Sequence, residues 1–397
     1  MSCEAATEVS APGRHKPVKS IDTVPAGRVA ACNVTQVANH IGPLGGVKCI
    51  LGNPTAGLAP RGSNAVAAWL LIDRSQMTSH TSPIAFLFPG QGSQAVGMGR
   101  ELAALFPVAK ETFDEADAAL GYKLSQLCFE GPEDQLKLTE ITQPAILTAS
   151  VAAWRVLQSQ GITPAYVAGH SLGEYSAHVA AGTLTFPDAV RAVRNRGKYM
   201  QEAVPVGVGA MAAILGMEID HIRQICEEAA EDEVCQPANL NSPEQTVISG
   251  NKTAVERAAD LAKQRGAKRA ILLPVSAPFH CALMQPAQDR LAHDLTALAF
   301  HAPEVSVMCN VDATLVTTAH QSRDALIRQV TGAVQWDRSM RQLAKIGVQD
   351  TIEVGPGKVL CGLMRQIDRS LKCFNVEDES SLEKTLNHFT PASPKAE

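Results

Sequence analysis

The sequence predicts an α/β fold: a largely parallel sheet covered by helices, with a smaller α+β unit set into it. Three observations carry that prediction. From Pro83 onward, short apolar segments alternate with amphipathic segments of helical period, the pattern of strands and covering helices. Between about Gly207 and Val275 the order changes to strand, helix, strand, strand, helix, strand. Lastly, a glycine-flanked turn, Gly169-His-Ser171-Leu-Gly173, joins a strand pattern to a helix pattern.

In chain order, Ile84–Phe88 is uniformly apolar and reads as a buried strand ending in Pro89-Gly-Gln-Gly92. Helices follow around Arg100–Phe106 and Pro144–Gln160, the second with Leu147, Val151, Trp154 and Leu157 on one face. Tyr166–Ala168 is a short strand, a helix starts at about Ser171, and another spans Asp188–Glu202. The changed rhythm comes next. Ala210–Leu215 is a strand, Ile219–Ala230 a helix, Gln236–Leu240 and Thr246–Ser249 strands, Ala254–Arg265 a helix and Arg269–Leu273 a strand. That βαββαβ order is the split pattern of a ferredoxin-like unit. After Val275 the alternation resumes, with Thr351–Val354 as a strand leading into Gly355-Pro-Gly-Lys-Val359. The domain reading is therefore 77–203 with 276–390 as one large unit and 204–275 as an insertion.

Residues 1–76 are unlike the rest: rich in Pro, Gly, Ala, Ser and Asn, without helical or strand period. They hold seven Lys or Arg against four Asp or Glu, reversing the sign of a chain whose net charge is −5. Three readings compete: a disordered extension, an organelle-targeting segment, or sequence upstream of a true start at Met77. Acids at Glu4, Glu8 and Asp22 and weak amphipathicity fit a transit peptide loosely. A misassigned start is preferred, a non-functional extension second, so the expected location is the cytoplasm, with organelle import the alternative. Elsewhere, 45% hydrophobic and 19% charged residues in a chain of 397 suit a globular protein with a large core. The acidic balance gives no footprint for nucleic acid, and no apolar run approaches the ~20 residues of a membrane span. Ten cysteines are scattered with no C-x-x-C pair, which reads as buried apolar residues or spare thiols rather than a disulfide framework or metal site.

The Gly169–Gly173 turn matches G-x-S-x-G. Such a turn thrusts a serine hydroxyl beyond the sheet, with glycines letting neighbouring backbone pass and a helix N-terminus favouring negative charge nearby. A lone match is weak, so the strand before Ser171 and the helix after it matter. A serine needs a base. Of eleven histidines, His280 in Pro274-Val-Ser-Ala-Pro-Phe-His-Cys281 stands where the chain returns from the insertion, on a loop able to face the turn. His170 should point away from the hydroxyl and support the turn, His178 should be a packed or surface residue, and His221, His293 and His301 have no motif around them. An oxyanion needs backbone N–H donors: the Leu172 amide is one, and Gln91, between two glycines, offers the other. Those glycines could instead merely start a helix. Arg196, in Arg-Asn-Arg196-Gly-Lys198, is read either as part of a solvated basic face or as a bidentate grip on a substrate carboxylate.

Several segments together resemble one family, the bacterial malonyl-CoA:acyl carrier protein transacylases. They are Phe88-Pro-Gly-Gln-Gly-Ser93, Gln143-Pro-Ala145, Gly169-His-Ser-Leu-Gly-Glu-Tyr175, Arg196-Gly-Lys198, Asn241-Ser-Pro243, Pro278-Phe-His280 and Glu353-Val-Gly-Pro-Gly357. The likeness runs from about Ile84 to the late helix near Asp368. It implies a hydrolase-like α/β domain with a ferredoxin-like insertion. It also implies that Ser171 forms the malonyl ester, that His280 is base and then acid, and that Arg196 holds the malonyl carboxylate. The amides of Gln91 and Leu172 would form the oxyanion hole, and the Gln329 carbonyl would orient His280. The absence of a convincing Asp after Ser171 agrees with a carbonyl in that place. Malonyl-CoA would be the donor and the phosphopantetheine arm of an acyl carrier protein the acceptor, with no permanently bound cofactor or metal. The family is usually monomeric. Phe279 beside the base would narrow the acyl pocket and favour malonyl over methylmalonyl.

Overall fold

The computed structural model describes residues 82–389; the reading of residues 1–76, and the start at Met77, lie outside them. The described strands are β1 (Ile84–Phe88), β2 (Tyr166–Gly169), β3 (Gly209–Leu215), β4 (Cys235–Ser242), β5 (Gln245–Asn251), β6 (Arg269–Leu272), β7 (Ser306–Met308), β8 (Leu315–Val316), β9 (Asp350–Val354) and β10 (Lys372–Val376). Six of them form one sheet in the order β10-β9-β1-β2-β7-β8, parallel throughout except for β8 against β7. The fold is α/β, as the alternation predicts.

β1 sits near the middle and all five of its residues are buried. Ile84, Phe86 and Phe88 point to one face and pack with Leu147, Val151 and Val190, while Ala85 and Leu87 point to the other, with Trp336, Met340 and Met364. The period-2 alternation of a strand thus feeds two apolar layers, and a strand covered on both faces must be apolar throughout. The helix that packs on the Ile84 face, α1, runs Thr139–Ser159 and contains Pro144. The apolar period alone places its start around Pro144. Burial of Thr139, Thr142 and Gln143 keeps the earlier turn helical instead. Two further helices position the site: α2, Gly173–Ala180, and α3, Phe186–Glu202. The latter begins two residues before the expected Asp188, where the Thr185 side chain caps it by accepting the Asp188 amide.

The remaining strands form an antiparallel sheet, β4-β5-β3-β6, with helices α4 (Ile219–Ala230) and α5 (Lys252–Gln264) against it. Ala212 and Ile214 of β3 pack with these helices, whereas Met211 and Ala213 join the core of the large sheet. One face of the small sheet therefore closes its own core and the other rests on the large unit. β4 is tied there directly. The Leu240 amide donates to the Val334 carbonyl at 2.9 Å, the Val334 amide to the Ala238 carbonyl at 2.8 Å, and Ser242 to Gln366 at 2.8 Å.

Cys128, Cys226, Cys235, Cys281 and Cys309 are buried free thiols, in line with the scattered spacing. Cys361 and Cys373 depart from it, being joined as a disulfide. Their approach follows from packing of α6 (Val359–Ile367) beside β10, which no spacing rule announces.

Candidate active site

Residues from the carboxyl ends of β1, β2 and β7 converge, the usual place for a ligand in an open parallel sheet. Ser171 follows β2 with φ of 51°, a left-handed conformation uncommon for a residue with a side chain. Its neighbours explain the glycines. A Cβ on Gly169 would overlap the Gly173 carbonyl, and one on Gly173 would overlap the Phe88 carbonyl. The Ser171 backbone is held at both ends by side chains: its N–H donates to Asn310 Oδ1 at 2.8 Å, and its carbonyl accepts from Gln329 Nε2 at 2.7 Å. Asn310, just past β7, also donates to the Gly169 carbonyl at 2.7 Å. A strained turn persists when its surroundings over-determine it in this way.

The Ser171 hydroxyl lies 2.7 Å from His280 Nε2. His280 Nδ1 faces two carbonyl oxygens, Gln329 at 2.9 Å and Gly332 at 3.2 Å. Carbonyls only accept, so Nδ1 carries the proton and Nε2 presents its lone pair to the serine. Burial, and after it the Arg196 guanidinium, push the His280 pKa down to about 3, with both carbonyls pulling the other way. The imidazole is neutral at neutral pH and free to accept.

Arg196 projects from α3 and is 1% exposed. Nη1 donates to Gln143 Oε1 at 2.8 Å; Nη2 donates to Gln329 Oε1 at 2.9 Å and to the Ser171 hydroxyl at 3.3 Å. Among the described residues no carboxylate pairs with it, and its Nε has no partner. Such a buried cation, held directly by neutral amides beside the serine, is able to pair with an anion. Gly197, next to Arg196, serves packing rather than ligand access. A Cβ there would meet the Thr139 carbonyl at 2.6 Å, so the glycine lets α3 press on α1.

These groups face one cavity of about 500 Å³. Gln91, Gln143, Ser171, Leu172, Arg196 and His280 line it, with Met200, Met211, Leu273 and Phe279 as apolar wall and Asn239 from the small sheet. Among the described residues, no backbone hydrogen bond takes up the amide of Gln91 or Leu172. All the sequence-predicted site residues meet here except Gln329, which stands behind His280 and Arg196 rather than in the wall. His170 turns from the hydroxyl to Asn241, at 2.8 Å, and packs edge-on against Trp336. His178 is fully buried in α2. Sequence reasoning missed Asn310 and the side-chain roles of Gln143, Gln329 and Glu174. Gln143 and Glu174 stood in quoted segments, but no pattern marked their partners. Among the described residues no cluster of His, Cys, Asp and Glu could hold a metal ion, and no helix is long and apolar enough to cross a membrane.

The class that this fold and site define is the acyl transferase: the model of the acyl transferase domain matches residues 85–383. The malonyl CoA-acyl carrier protein transacylase of Salmonella typhimurium is 54% identical over 303 residues, 76% of this chain and 98% of that protein. A crystal structure of an acyl carrier protein S-malonyltransferase from Vibrio cholerae superposes with a TM-score of 0.76 at 51% identity, covering 77% of this chain and all of the other. A malonyl-transacylase solved in complex with a type II PKS acyl-carrier protein matches with a TM-score of 0.76 at 48% identity, over 77% of this chain and 100% of that one. The chain belongs to the malonyl CoA-acyl carrier protein transacylase family.

Proposed function

We propose that the chain transfers a malonyl group from malonyl-CoA to the phosphopantetheine thiol of acyl carrier protein for fatty-acid synthesis, through a malonyl ester on Ser171. The observation that carries this reading is Arg196: a buried guanidinium with no carboxylate in direct contact among the described residues, touching the Ser171 hydroxyl. In the first half-reaction the Ser171 proton passes to His280 Nε2 as the oxygen attacks the thioester carbonyl. The amides of Gln91 and Leu172 receive the oxyanion. As the intermediate collapses, coenzyme A departs and takes the proton from His280. In the second, His280 accepts the proton of the carrier thiol, whose sulfur attacks the ester, and returns it to the Ser171 oxygen. Ping-pong kinetics follow.

Arg196 has a second effect. The empty guanidinium lowers the basicity of His280; a malonyl carboxylate laid against it cancels that charge, so His280 is a better base with the right acyl group bound. An acetyl group brings no such relief. Every proton and charge in the cycle is met by His280, Arg196 and backbone amides, so we assign no permanent cofactor or metal. We place the reaction in the cytoplasm, in a monomer. Residues 204–275 are taken as the inserted unit and 77–203 with 276–390 as the large one, a reading supported by Met211, Asn239 and Leu273 sharing a cavity with Ser171.

Intact-mass analysis after brief exposure to malonyl-CoA tests this. A malonyl adduct should form on the unmodified chain, vanish in Ser171→Ala, and discharge on adding holo acyl carrier protein. An unmodified chain that gains no adduct sinks the proposal.

A further inference from the structure

Behind the site stands a buried acid that the cycle above does not use. Glu174 lies three residues after Ser171 in the first turn of α2 and is fully buried. Its Oε2 accepts from Gln329 Nε2 at 2.7 Å and from the Asn310 amide at 3.2 Å; its Oε1 has no partner among the described residues.

The Gln329 amide group is the junction. Its nitrogen has two hydrogens, which go to Glu174 and the Ser171 carbonyl at 2.7 Å each, with Asn310 Oδ1 a longer contact at 3.4 Å. That fixes which way round the amide lies, leaving Oε1 to accept Arg196 Nη2 at 2.9 Å. The backbone carbonyl of the same residue accepts His280 Nδ1 at 2.9 Å. One glutamine therefore grips the base, the guanidinium and the backbone of the serine, and the carboxylate of Glu174 anchors that glutamine.

Resting on the reading of Ser171, His280 and Arg196 given above, we propose that Glu174 is a positioning residue for acyl transfer. Its ionised carboxylate acts through Gln329 to hold His280 and Arg196 and to favour the imidazolium formed in each half-reaction. It stands in place of the acid that a serine–histidine pair ordinarily places against the histidine itself. Packing alone does not call for a charge at this buried position.

Burial raises the Glu174 pKa to about 7, against hydrogen bonds from Gln329 and Asn310 and the charges of Arg196 and Arg328. Its other titratable neighbours, the Tyr175 phenol and the Cys309 thiol, are both raised by burial and stay neutral. The carboxylate charge thus grows as pH rises through neutrality, and its help to the reaction grows with it.

The test compares the unmodified chain with Glu174→Gln in kcat and kcat/KM for malonyl-CoA across pH, with ester formation followed by intact mass. Glutamine keeps the shape and an acceptor oxygen but not the charge. The rate ratio of unmodified to variant should climb from near unity at about pH 6 to about tenfold at about pH 8.5, as one unit of imidazolium stabilisation appears. Glu174→Asp should restore the rise with pH. A ratio independent of pH, whatever its size, overturns the proposal. If Glu174→Gln does not fold, the unmodified chain still decides: an activity flat from about pH 6 to about pH 8.5 overturns it. Failure of the unmodified chain to form any ester defeats instead the reading of the site itself.

Discussion

A guanidinium 1% exposed, with no direct carboxylate partner among the described residues, has room for an anion, and its substitution should separate substrates rather than merely slow the enzyme. Arg196→Ala should lower kcat/KM for malonyl-CoA by about 10²–10³, the value of one buried charged contact, while acetyl transfer holds or rises. Arg196→Lys should recover only a fraction, because a single ammonium nitrogen lacks the planar fork that sets Nη1 on Gln143 and Nη2 on Gln329. Steady-state rates with both donors check this; equal losses on malonyl and acetyl would defeat the carboxylate grip. At this scale the sequence was readable where chemistry is local. Ser171 announced itself by its glycines, and His280 by the turn that carries it. Asn310 and the side chain of Gln329 gave no signal, because they act on Ser171 across separations of 139 and 158 residues.

Between elements, the contact of α3 with α1 sets where Arg196 points. The Thr139 carbonyl lies 2.6 Å from where a Gly197 Cβ would stand. Gly197→Ala should push the helices apart, cost about 1–3 kcal/mol of stability, and raise KM for malonyl-CoA more than it lowers kcat, since Arg196 leaves Gln143. Thermal unfolding and kinetics together test it; an unchanged KM would show that the helix spacing does not position Arg196. Long elements were legible from period alone. β7 and β8, of three and two residues, are too short to carry one, and Pro144 hid the first turn of α1 because its burial outweighs the local preference of proline.

For the molecule as a whole, buried titratable groups shape stability against pH. Among the described residues neither ring nitrogen of His178 has a partner, and burial lowers its pKa to about 3 from 6.5. The unfolded chain takes a proton below pH 6.5 that the folded chain refuses, so stability from this group is lost as pH falls from 6.5 towards 3, at about 1.4 kcal/mol per unit. His280 adds a like slope. Glu174 and Glu353, raised by burial to about 7 from 4.5, act with opposite sign between those values. From pH 4.5 to 6.5 the two carboxyls oppose the two histidines, and below that their offset ends. His178→Leu should flatten the acid limb by one group's share in urea unfolding; an unaltered limb would mean that the imidazole is not held neutral. The order of segments disclosed both sheets in the sequence. The seam between them, Ala238 and Leu240 against Val334, joins residues almost a hundred positions apart and left no trace in any local pattern.

The two carbonyls that face His280 Nδ1 also bear on which acceptor can discharge the ester. An imidazole whose direct partners are neutral dipoles, with a carboxylate only behind Gln329, gains less from taking a proton than one paired with an acid, so the acidity of the incoming nucleophile bears on the rate. A thiol, with a pKa of about 8.5, releases its proton to such a base more readily than water, near 15.7, which unlike the Ser171 hydroxyl is not held against Nε2. Selectivity against hydrolysis then comes in part from a feeble base. Small thiols of decreasing pKa should relieve the ester progressively faster until their own nucleophilicity fails.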